Sequence, residues 1–202
     1  MKHKCLFLEG NMQIGKSTTI LKYINSFIPN NLVGGFMCQR LVADEETKAF
    51  CLTSFNEVES SIIEYKSHTP NVFLENISGK WVRNDEVFNT IGVDMLSNLS
   101  SKKLIVLDEI GGVELLAEQF REKLYELLSK ETPIIGVIKS NKNRSVMKKS
   151  VKIDDEYSDL YQQLCSDIKN IYGGKILKVD KNNMISIQQE IGVFLSEIMK
   201  RY

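Results

Sequence analysis

The 202-residue sequence has no excess of charge of one sign, since lysine plus arginine and aspartate plus glutamate both number 26. A global attraction to nucleic acid or to an anionic membrane surface is therefore not expected. The sequence also lacks an apolar run long enough to span a bilayer, and the run behind the basic residues 2–4 ends at Glu9, which is too short for a signal peptide. We expect a soluble chain with no membrane partner. Nucleic acid is not an expected partner, and a protein partner stays open.

Closely spaced cysteine pairs and linker-like segments are also absent. The four cysteines, Cys5, Cys38, Cys51 and Cys165, are far apart and form no C-x-x-C pair, which argues against a zinc site. Three of them lie in apolar runs, as small core residues do, and reduced thiols predict a cytoplasmic location. With three prolines and no Pro/Ser-rich stretch, residues 1–202 are expected to form a single domain.

The sequence does contain a glycine-rich segment directly after the apolar run 5–8: Gly10, Asn11, Met12, Gln13, Ile14, Gly15, Lys16 and Ser17. It fits G-x-x-x-x-G-K-[ST], a loop whose backbone N–H groups wrap the phosphates of a nucleotide. The two glycines permit a tight turn and a close approach of phosphate oxygens. We predict that this loop binds a nucleoside triphosphate, that Lys16 reaches the β- and γ-phosphates, and that the Ser17 hydroxyl ligates Mg²⁺.

Strand-like and helix-like segments alternate in both halves of the chain. Strands are predicted at 4–9, 104–107, 133–138 and 175–179, and helices at 16–28, 84–99, 115–128, 157–171 and 185–199. A β-rich stretch at about 35–83 interrupts this alternation with a hairpin, 36–42 and 48–53, and two short strands, 72–77 and 80–83. We predict an α/β fold of the P-loop class, with a mainly parallel sheet flanked by helices and an inserted β-hairpin region. Phe36 and Trp81 are assigned to the core rather than to base stacking.

Two carboxylates follow the apolar strand 104–107. In a P-loop protein, an aspartate in the position of Asp108 can hold Mg²⁺, usually through water. A glutamate in the position of Glu109 can deprotonate the attacking water. Because consecutive strand residues point to opposite faces, the two roles separate only if the strand ends there, as Gly111-Gly112 suggests. We therefore predict Ser17 and Asp108 as metal-binding residues, with Glu109 and Lys16 as catalytic residues.

A regulatory GTPase is a competing interpretation. The segment 108–111 also fits D-x-x-G, and Asn141-Lys142-Asn143-Arg144 approaches N-K-x-D. However, Arg144 lacks the carboxylate that accepts guanine protons, and the chain between Asp108 and Asn141 holds only one helix and one strand. The GTPase interpretation is the weaker one.

Taken in order, these motifs resemble the cancer-related nucleoside-triphosphatase family. The resemblance is carried by the glycine-rich loop, by Gly34-Gly35-Phe36, by Gly79-Lys80-Trp81-Val82, and by the segment from Leu107 to Leu115. It implies a small P-loop hydrolase with a RecA-like sheet and broad activity on nucleoside triphosphates. It also implies phosphate contacts from Gly10 to Thr18, metal support from Ser17 and Asp108, and Glu109 as base.

The sequence departs from the family at three places. Val113 stands where the family usually has methionine, Cys38-Gln39 replaces an acidic pair, and Asn183-Met184 replaces an Asn-Arg pair near the base pocket. The resemblance therefore implies phosphate binding more directly than it implies the choice of base or the rate.

Several charged groups remain without a role. The basic stretch 139–152 is interpreted as a solvated surface, with a lid over the phosphates or a polyanion patch as alternatives; its basic residues are Lys139, Lys142, Arg144, Lys148, Lys149 and Lys152. Arg40 and Arg144 are the candidate arginine fingers, and Ser140 is a candidate γ-phosphate sensor.

Three functions are consistent with these residues. The leading hypothesis is slow Mg²⁺-dependent hydrolysis of ATP, and of GTP and other triphosphates, to diphosphate and phosphate. The alternatives are a nucleotide-gated binding module and a small-molecule or nucleotide kinase. The adjacent carboxylates favour water as the phosphoryl acceptor.

Overall fold

Parallel strands buried on both faces form the centre of the molecule. The structure is a computed structural model that describes residues 3–145 and 156–201. Its described strands are β1 (Cys5–Gly10), β2 (Val33–Ala43), β3 (Glu46–Ser54), β4 (Ile62–Glu64), β5 (Val72–Ile77), β6 (Lys80–Arg83), β7 (Leu104–Ile110), β8 (Ile134–Lys139) and β9 (Gly174–Val179). The longer helices are α1 (Lys16–Phe27), α2 (Glu118–Ser129), α3 (Glu156–Asn170) and α4 (Met184–Met199).

All nine described strands belong to one sheet, in the order β6-β5-β3-β2-β7-β8-β1-β9, with β4 paired to β2. Neighbours from β2 to β9 in this order are parallel, whereas β2–β3, β3–β5 and β5–β6 are antiparallel. Strand β2 joins the two parts, because its first residues pair with β7 and its later residues pair with β3 and β4. The predicted hairpin region is therefore an antiparallel extension of the parallel sheet.

Helices cover both faces of the parallel strands. On one face, Phe7 and Leu107 pack with Phe120 of α2 and Leu164 of α3. On the other face, the alternate strand residues pack against α1 and α4; they include Leu6, Leu8 and Val106. Apolar side chains on both faces of each strand explain the continuous apolar runs in the sequence. The mixed sheet flanked by helices is thus as predicted.

Three local features differ from the sequence-based predictions. Strand β4 is too short to be recognised from its pattern. The predicted helix 84–99 is shorter, spanning 86–95, and its middle part, Phe88–Gly92, is π-helical before a last α-helical turn, Val93–Met95. Gly92 weakens the helix, and a Cβ there would lie 2.8 Å from Phe120 Cδ2. Strand β7 does not end at Asp108 but continues to Ile110.

No helix within residues 3–145 and 156–201 combines the length and the apolar character needed to cross a bilayer. Part of the basic stretch 139–152 lies outside the described residues, namely Lys148, Lys149 and Lys152.

Candidate active site

The glycine-rich loop connects β1 to α1 at the carboxyl edge of the parallel strands. Gly15 has φ 87° and Gln13 has φ 62°, so the loop makes a left-handed turn immediately before α1 begins at Lys16. Gly10 is required for a different reason, because a Cβ there would lie 2.5 Å from the Val179 carbonyl oxygen of β9. The turn directs the free N–H groups of the first turn of α1 toward the loop, an arrangement that favours anions.

Lys16 is almost fully buried beneath this loop, with 4% of its surface exposed. Its ammonium group donates to the carbonyl oxygens of Gly10 (3.1 Å) and Asn11 (2.7 Å). Burial lowers the pKa of Lys16, while the nearby carboxylates of Glu109 and Asp108 oppose that shift. The cation is thus held within the loop and is balanced by the two acidic residues of β7.

Asp108 lies behind the first turn of α1. Its Oδ1 accepts from the Ser17 hydroxyl at 2.7 Å, and its Oδ2 accepts from the Cys38 backbone N–H at 3.2 Å. Burial and the charge of Glu109 raise the pKa of Asp108 to about 7. The structure therefore places Ser17 and Asp108 in direct contact, although they are 91 positions apart in the chain.

The oxygen atoms of Ser17 and Asp108 are suited to a hard cation. Mg²⁺ is usually bound by one or two protein oxygens together with substrate phosphates rather than by an all-protein cage. Residues 3–145 and 156–201 contain no group of three or more His, Cys, Asp and Glu side chains that could hold a metal alone. The donor set fits Mg²⁺ accompanied by a triphosphate.

Glu109 occupies an irregular position in β7. It has φ 57°, and the pairing of β7 with β8 is interrupted between Leu107 and Ile110. Asp108 and Glu109 therefore both lie in a bulge of β7, and the predicted strand end at Asp108 is wrong. A bulge re-aims a side chain without ending the strand, so the separation of Asp108 from Glu109 does not need a strand terminus.

Two lysines hold the Glu109 carboxylate. Lys139 Nζ lies 2.9 Å from Oε2, and Lys16 Nζ lies 3.9 Å from Oε1. Burial opposes ionisation of Glu109, but Lys139 and then Lys16 outweigh it and keep its pKa below the ordinary value. Glu109 is thus a carboxylate at neutral pH, at the edge of the phosphate loop.

The sequence analysis missed Lys139, which it placed in a basic surface stretch. Lys139 ends β8, beside the strand that carries Asp108 and Glu109, and its position at a strand end was the available signal. The Tyr161 hydroxyl of α3 donates to its backbone carbonyl at 2.9 Å. Lys139 therefore belongs to the site and not to the surface.

Glu114 fixes the loop that follows β7. It is 3% exposed, and its carboxylate accepts from the backbone N–H groups of Gly111 and Gly112. The Tyr157 hydroxyl donates to the Gly111 carbonyl oxygen at 2.8 Å. A Cβ at Gly112 would lie 2.4 Å from Lys139 Cε, so this loop packs directly against the lysine that holds Glu109.

The segment after β8 contacts the phosphate loop but does not place an arginine in it. Asn143 Nδ2 donates to the Gly10 carbonyl oxygen at 3.2 Å. Arg144 is stacked on the Tyr161 ring at 3.6 Å and donates to Asn141 Oδ1, so it packs against α3. The Ser140 hydroxyl accepts from the Asn143 N–H, as a helix cap does.

These groups open into a cavity of about 480 Å³. Most of the predicted site lines it, namely Met12, Gln13, Gly15, Lys16, Ser17, Thr18 and Glu109, whereas Gly10, Asn11, Ile14 and Asp108 are not among the lining residues. Arg40 and Trp81 also line the cavity, so Trp81 is only partly a core residue. Phe36 is 1% exposed and does lie in the core, as expected.

The family model described as NTPase matches residues 5–192. The chain belongs to the NTPase family. Nucleoside-triphosphatase THEP1 of Thermotoga maritima is 28% identical over 144 residues, covering 71% of this NTPase and 78% of that protein. THEP1 of Methanosarcina acetivorans is 22% identical over 187 residues, covering 91% and 92% of the two chains. A mouse protein named cancer-related nucleoside-triphosphatase homolog is 27% identical over 139 residues, covering 66% and 72%.

Two solved structures share the fold of this NTPase. The solution structure of a human cancer-related nucleoside triphosphatase aligns with a TM-score of 0.63 at 19% identity, covering 96% of this chain and 98% of that one. The crystal structure of THEP1 from Aquifex aeolicus aligns with a TM-score of 0.60 at 14% identity, covering 95% and 98%. The predicted P-loop fold, the family resemblance and the interpretation as a nucleoside-triphosphatase are confirmed.

Proposed function

We propose that this NTPase cleaves the terminal phosphate of nucleoside triphosphates by Mg²⁺-dependent attack of water, giving diphosphate and phosphate. The observation that carries the proposal is the meeting of four groups beneath one loop: Lys16, the Ser17–Asp108 pair and Glu109. Each of these groups supplies one function that phosphoryl transfer to water requires.

The loop residues Gly10 to Thr18 bind the triphosphate in this proposal. Backbone N–H groups and the start of α1 favour the phosphate charge, and Lys16 supplies the cation that reaches the β- and γ-phosphates. Ser17 and Asp108 hold Mg²⁺, which neutralises charge on the β- and γ-phosphate oxygens when it is bound. Asp108 is already oriented by two hydrogen bonds, so little side-chain freedom is lost on binding.

Glu109 acts as the general base. Its ion pair with Lys139 keeps it ionised and holds the side chain in one position. The oxygen of the attacking water forms a new bond to the γ-phosphorus, its proton passes to Glu109, and the bond between the γ-phosphorus and the bridging oxygen breaks. Lys139 therefore serves as a positioning residue that acts through Glu109.

Basal turnover is slow in this proposal, below the range of about 1–100 s⁻¹ typical of kinases. Arg144 is engaged with Tyr161, and Arg40 is the arginine among the cavity-lining residues of the described chain. An arginine finger contributes on the order of 10³–10⁵-fold, so its absence leaves a detectable but low rate. If Arg40 supplies this charge, Arg40→Ala lowers the rate with little change in nucleotide affinity.

The same proposal includes a cytoplasmic location for the protein. It also includes a single domain spanning residues 1–202. Support comes from its free cysteines, two of which, Cys5 and Cys51, are buried as ordinary core residues. Support for a single domain comes from the one sheet that contains all the described strands.

The experiment compares phosphate release from ATP by the wild-type protein, Lys16→Ala and Asp108→Asn. Lys16→Ala should lose nucleotide binding, whereas the exposed Lys22→Ala on the same helix should retain it. Asp108→Asn should bind nucleotide but need more Mg²⁺, and chelation of Mg²⁺ should stop release by every variant. Near-normal affinity and activity in a folded Lys16→Ala protein would contradict the proposal.

A further inference from the structure

The cavity extends well beyond the groups that hydrolysis needs. Its lining follows the order of the strands in the sheet, from the phosphate loop after β1, through Lys139 of β8 and Glu109 of β7, to the antiparallel extension. The far end is apolar and is lined by Phe50, Phe73, Leu74 and Trp81, which we call the aromatic wall.

The three rings of the aromatic wall form one cluster. The Phe50 ring centroid lies 5.9 Å from that of Trp81 and 6.4 Å from that of Phe73. Phe73 is 5% exposed and is fixed by the core, whereas Phe50 and Trp81 are half-buried. Rigid rings beside a few polar groups, here Arg40 and Thr47, are typical of a small-molecule site.

The water that attacks the triphosphate during hydrolysis does not need the aromatic wall. A water molecule that attacks phosphorus is held by polar groups, and an apolar wall offers it no hydrogen bond. The wall also does not suit the triphosphate, whose oxygens are charged and take the loop side of the cavity. A flat apolar ligand is the occupant that gains free energy there, through burial and ring stacking.

The position of the wall relative to the phosphates indicates what such a ligand would do. Glu109 acts at the γ-phosphate, which is the free end of the triphosphate. The aromatic wall lies on strands beyond Glu109 when counted from the phosphate loop. With the triphosphate bound as proposed, the wall lies on the Glu109 side of the phosphate loop, which is the side of the γ-phosphate.

We propose that the aromatic wall binds a small aromatic alcohol, and that the protein transfers the γ-phosphoryl group to it in competition with water. This inference rests on the proposed function, because it uses the same loop and the same base. The alcohol oxygen forms the new bond to the γ-phosphorus, and the bond to the β,γ-bridging oxygen breaks. Glu109 takes the hydroxyl proton and later releases it to solvent, so the products are a phosphate monoester, the nucleoside diphosphate and a proton.

The chemical class of the acceptor follows from the lining. Trp81 and Phe50 favour a planar ring, because stacked or edge-on rings attract one another beyond their buried area. Thr47 and Arg40 offer polar contacts at the edge of the wall. A cavity of about 480 Å³ that also holds phosphates leaves room for one or two fused rings with a short hydroxyalkyl arm.

The test incubates the full-length protein with ATP and Mg²⁺, together with benzyl alcohol, 2-phenylethanol or tryptophol at about 10 mM, a concentration suited to millimolar binding. Phosphorus NMR separates the phosphate monoester from inorganic phosphate. Trp81 is the only tryptophan in the chain, so benzyl alcohol binding should also give a saturable change in tryptophan emission without any turnover. We expect both signals.

Two variants test whether the alcohol binds at the aromatic wall. Trp81→Ala and the milder Phe50→Leu should lower the monoester yield about tenfold. Phosphate release without alcohol should stay within about twofold, because neither ring contacts the loop in this proposal. The matched control is Val82→Ala, which changes the exposed neighbour of Trp81 on β6 and should alter neither product.

Other results would overturn the inference. The absence of monoester with all three alcohols, while phosphate is released, would show that the wall is not an acceptor site. An undiminished monoester yield in both wall variants would place the alcohol elsewhere. A raised KM for ATP in Trp81→Ala without monoester formation would assign the wall to the nucleotide base. Failure of the proposed function is distinguished because it abolishes phosphate release even without alcohol.

Discussion

Replacing Glu109 by glutamine separates chemistry from binding in this site. The amide cannot take a proton from water, and the loss of a general base lowers the rate by roughly 10²–10⁴-fold. The same change removes a negative charge that lies 3.9 Å from Lys16 Nζ. Two unit charges 4 Å apart interact by about 4 kcal/mol at an effective dielectric constant of about 20. Lys16 is then freer to interact with phosphate.

The attraction of about 4 kcal/mol between Glu109 and Lys16 is an upper limit on what Glu109→Gln can add to ATP binding. If about a quarter of the attraction becomes available to the triphosphate, binding tightens by about 1 kcal/mol, which is roughly fivefold in Kd. Glu109→Gln should therefore bind ATP as tightly as the wild type or more tightly, while it turns ATP over far more slowly. A variant that had simply lost its structure would show weaker ATP binding as well as slower turnover.

The assay measures binding with a fluorescent nucleotide and cleavage by phosphate release under single-turnover conditions. The matched control is Glu190→Gln, since Glu190 forms a 2.9 Å ion pair with Lys175 on the surface, far along the chain from the loop. That control should leave both quantities unchanged, because exposed ion pairs contribute little. Weaker ATP binding by a folded Glu109→Gln protein, or an undiminished rate, would refute the reasoning.

Three further outcomes are expected. Glu114→Ala should lower the free energy of unfolding by about 3 kcal/mol, because it leaves the Gly111 and Gly112 N–H groups unpaired in the interior. Thermal unfolding measures this loss, and the control Glu118→Ala, at an exposed position, should not show it. Lys139→Met should also lower the free energy of unfolding by about 3 kcal/mol, since it removes the nearer of the two lysines that face Glu109 and leaves only Lys16, at 3.9 Å; a variant as stable as the wild type would contradict the described pairing. Parallel assays with ATP, GTP, CTP and UTP should differ by less than about tenfold, because the binding residues contact phosphate, and a strong preference for GTP would revive the GTPase interpretation.

The sequence predicts those parts of the site whose structure depends on residues close together in the chain. The spacing from Gly10 to Ser17 determines a local backbone shape, and the strand before it and the helix after it can be recognised from periodicity. The continuous apolar run 104–107 likewise predicts a buried parallel strand, which is β7. These features need no knowledge of distant contacts.

The parts that the sequence does not predict arise from contacts between distant residues. Lys139 looked like the first member of a basic surface stretch, because only the alignment of β8 beside β7 brings it to Glu109. The bulge at Glu109 has no local signature, since the same residues fit a strand that ends. Trp81 combines core packing with cavity lining, and hydrophobicity alone does not separate the two.

The left-handed backbone at Glu109 has a consequence for the directed evolution of this protein. A non-glycine residue with φ near 57° costs roughly 1–2 kcal/mol, so glycine at this position would relax the backbone. The same replacement would leave the ammonium groups of Lys139 and Lys16 without the carboxylate that faces them, and breaking a buried ion pair costs about 3 kcal/mol. Selection for heat tolerance would therefore retain the carboxylate at position 109, because its ion pairs outweigh the relief of the backbone.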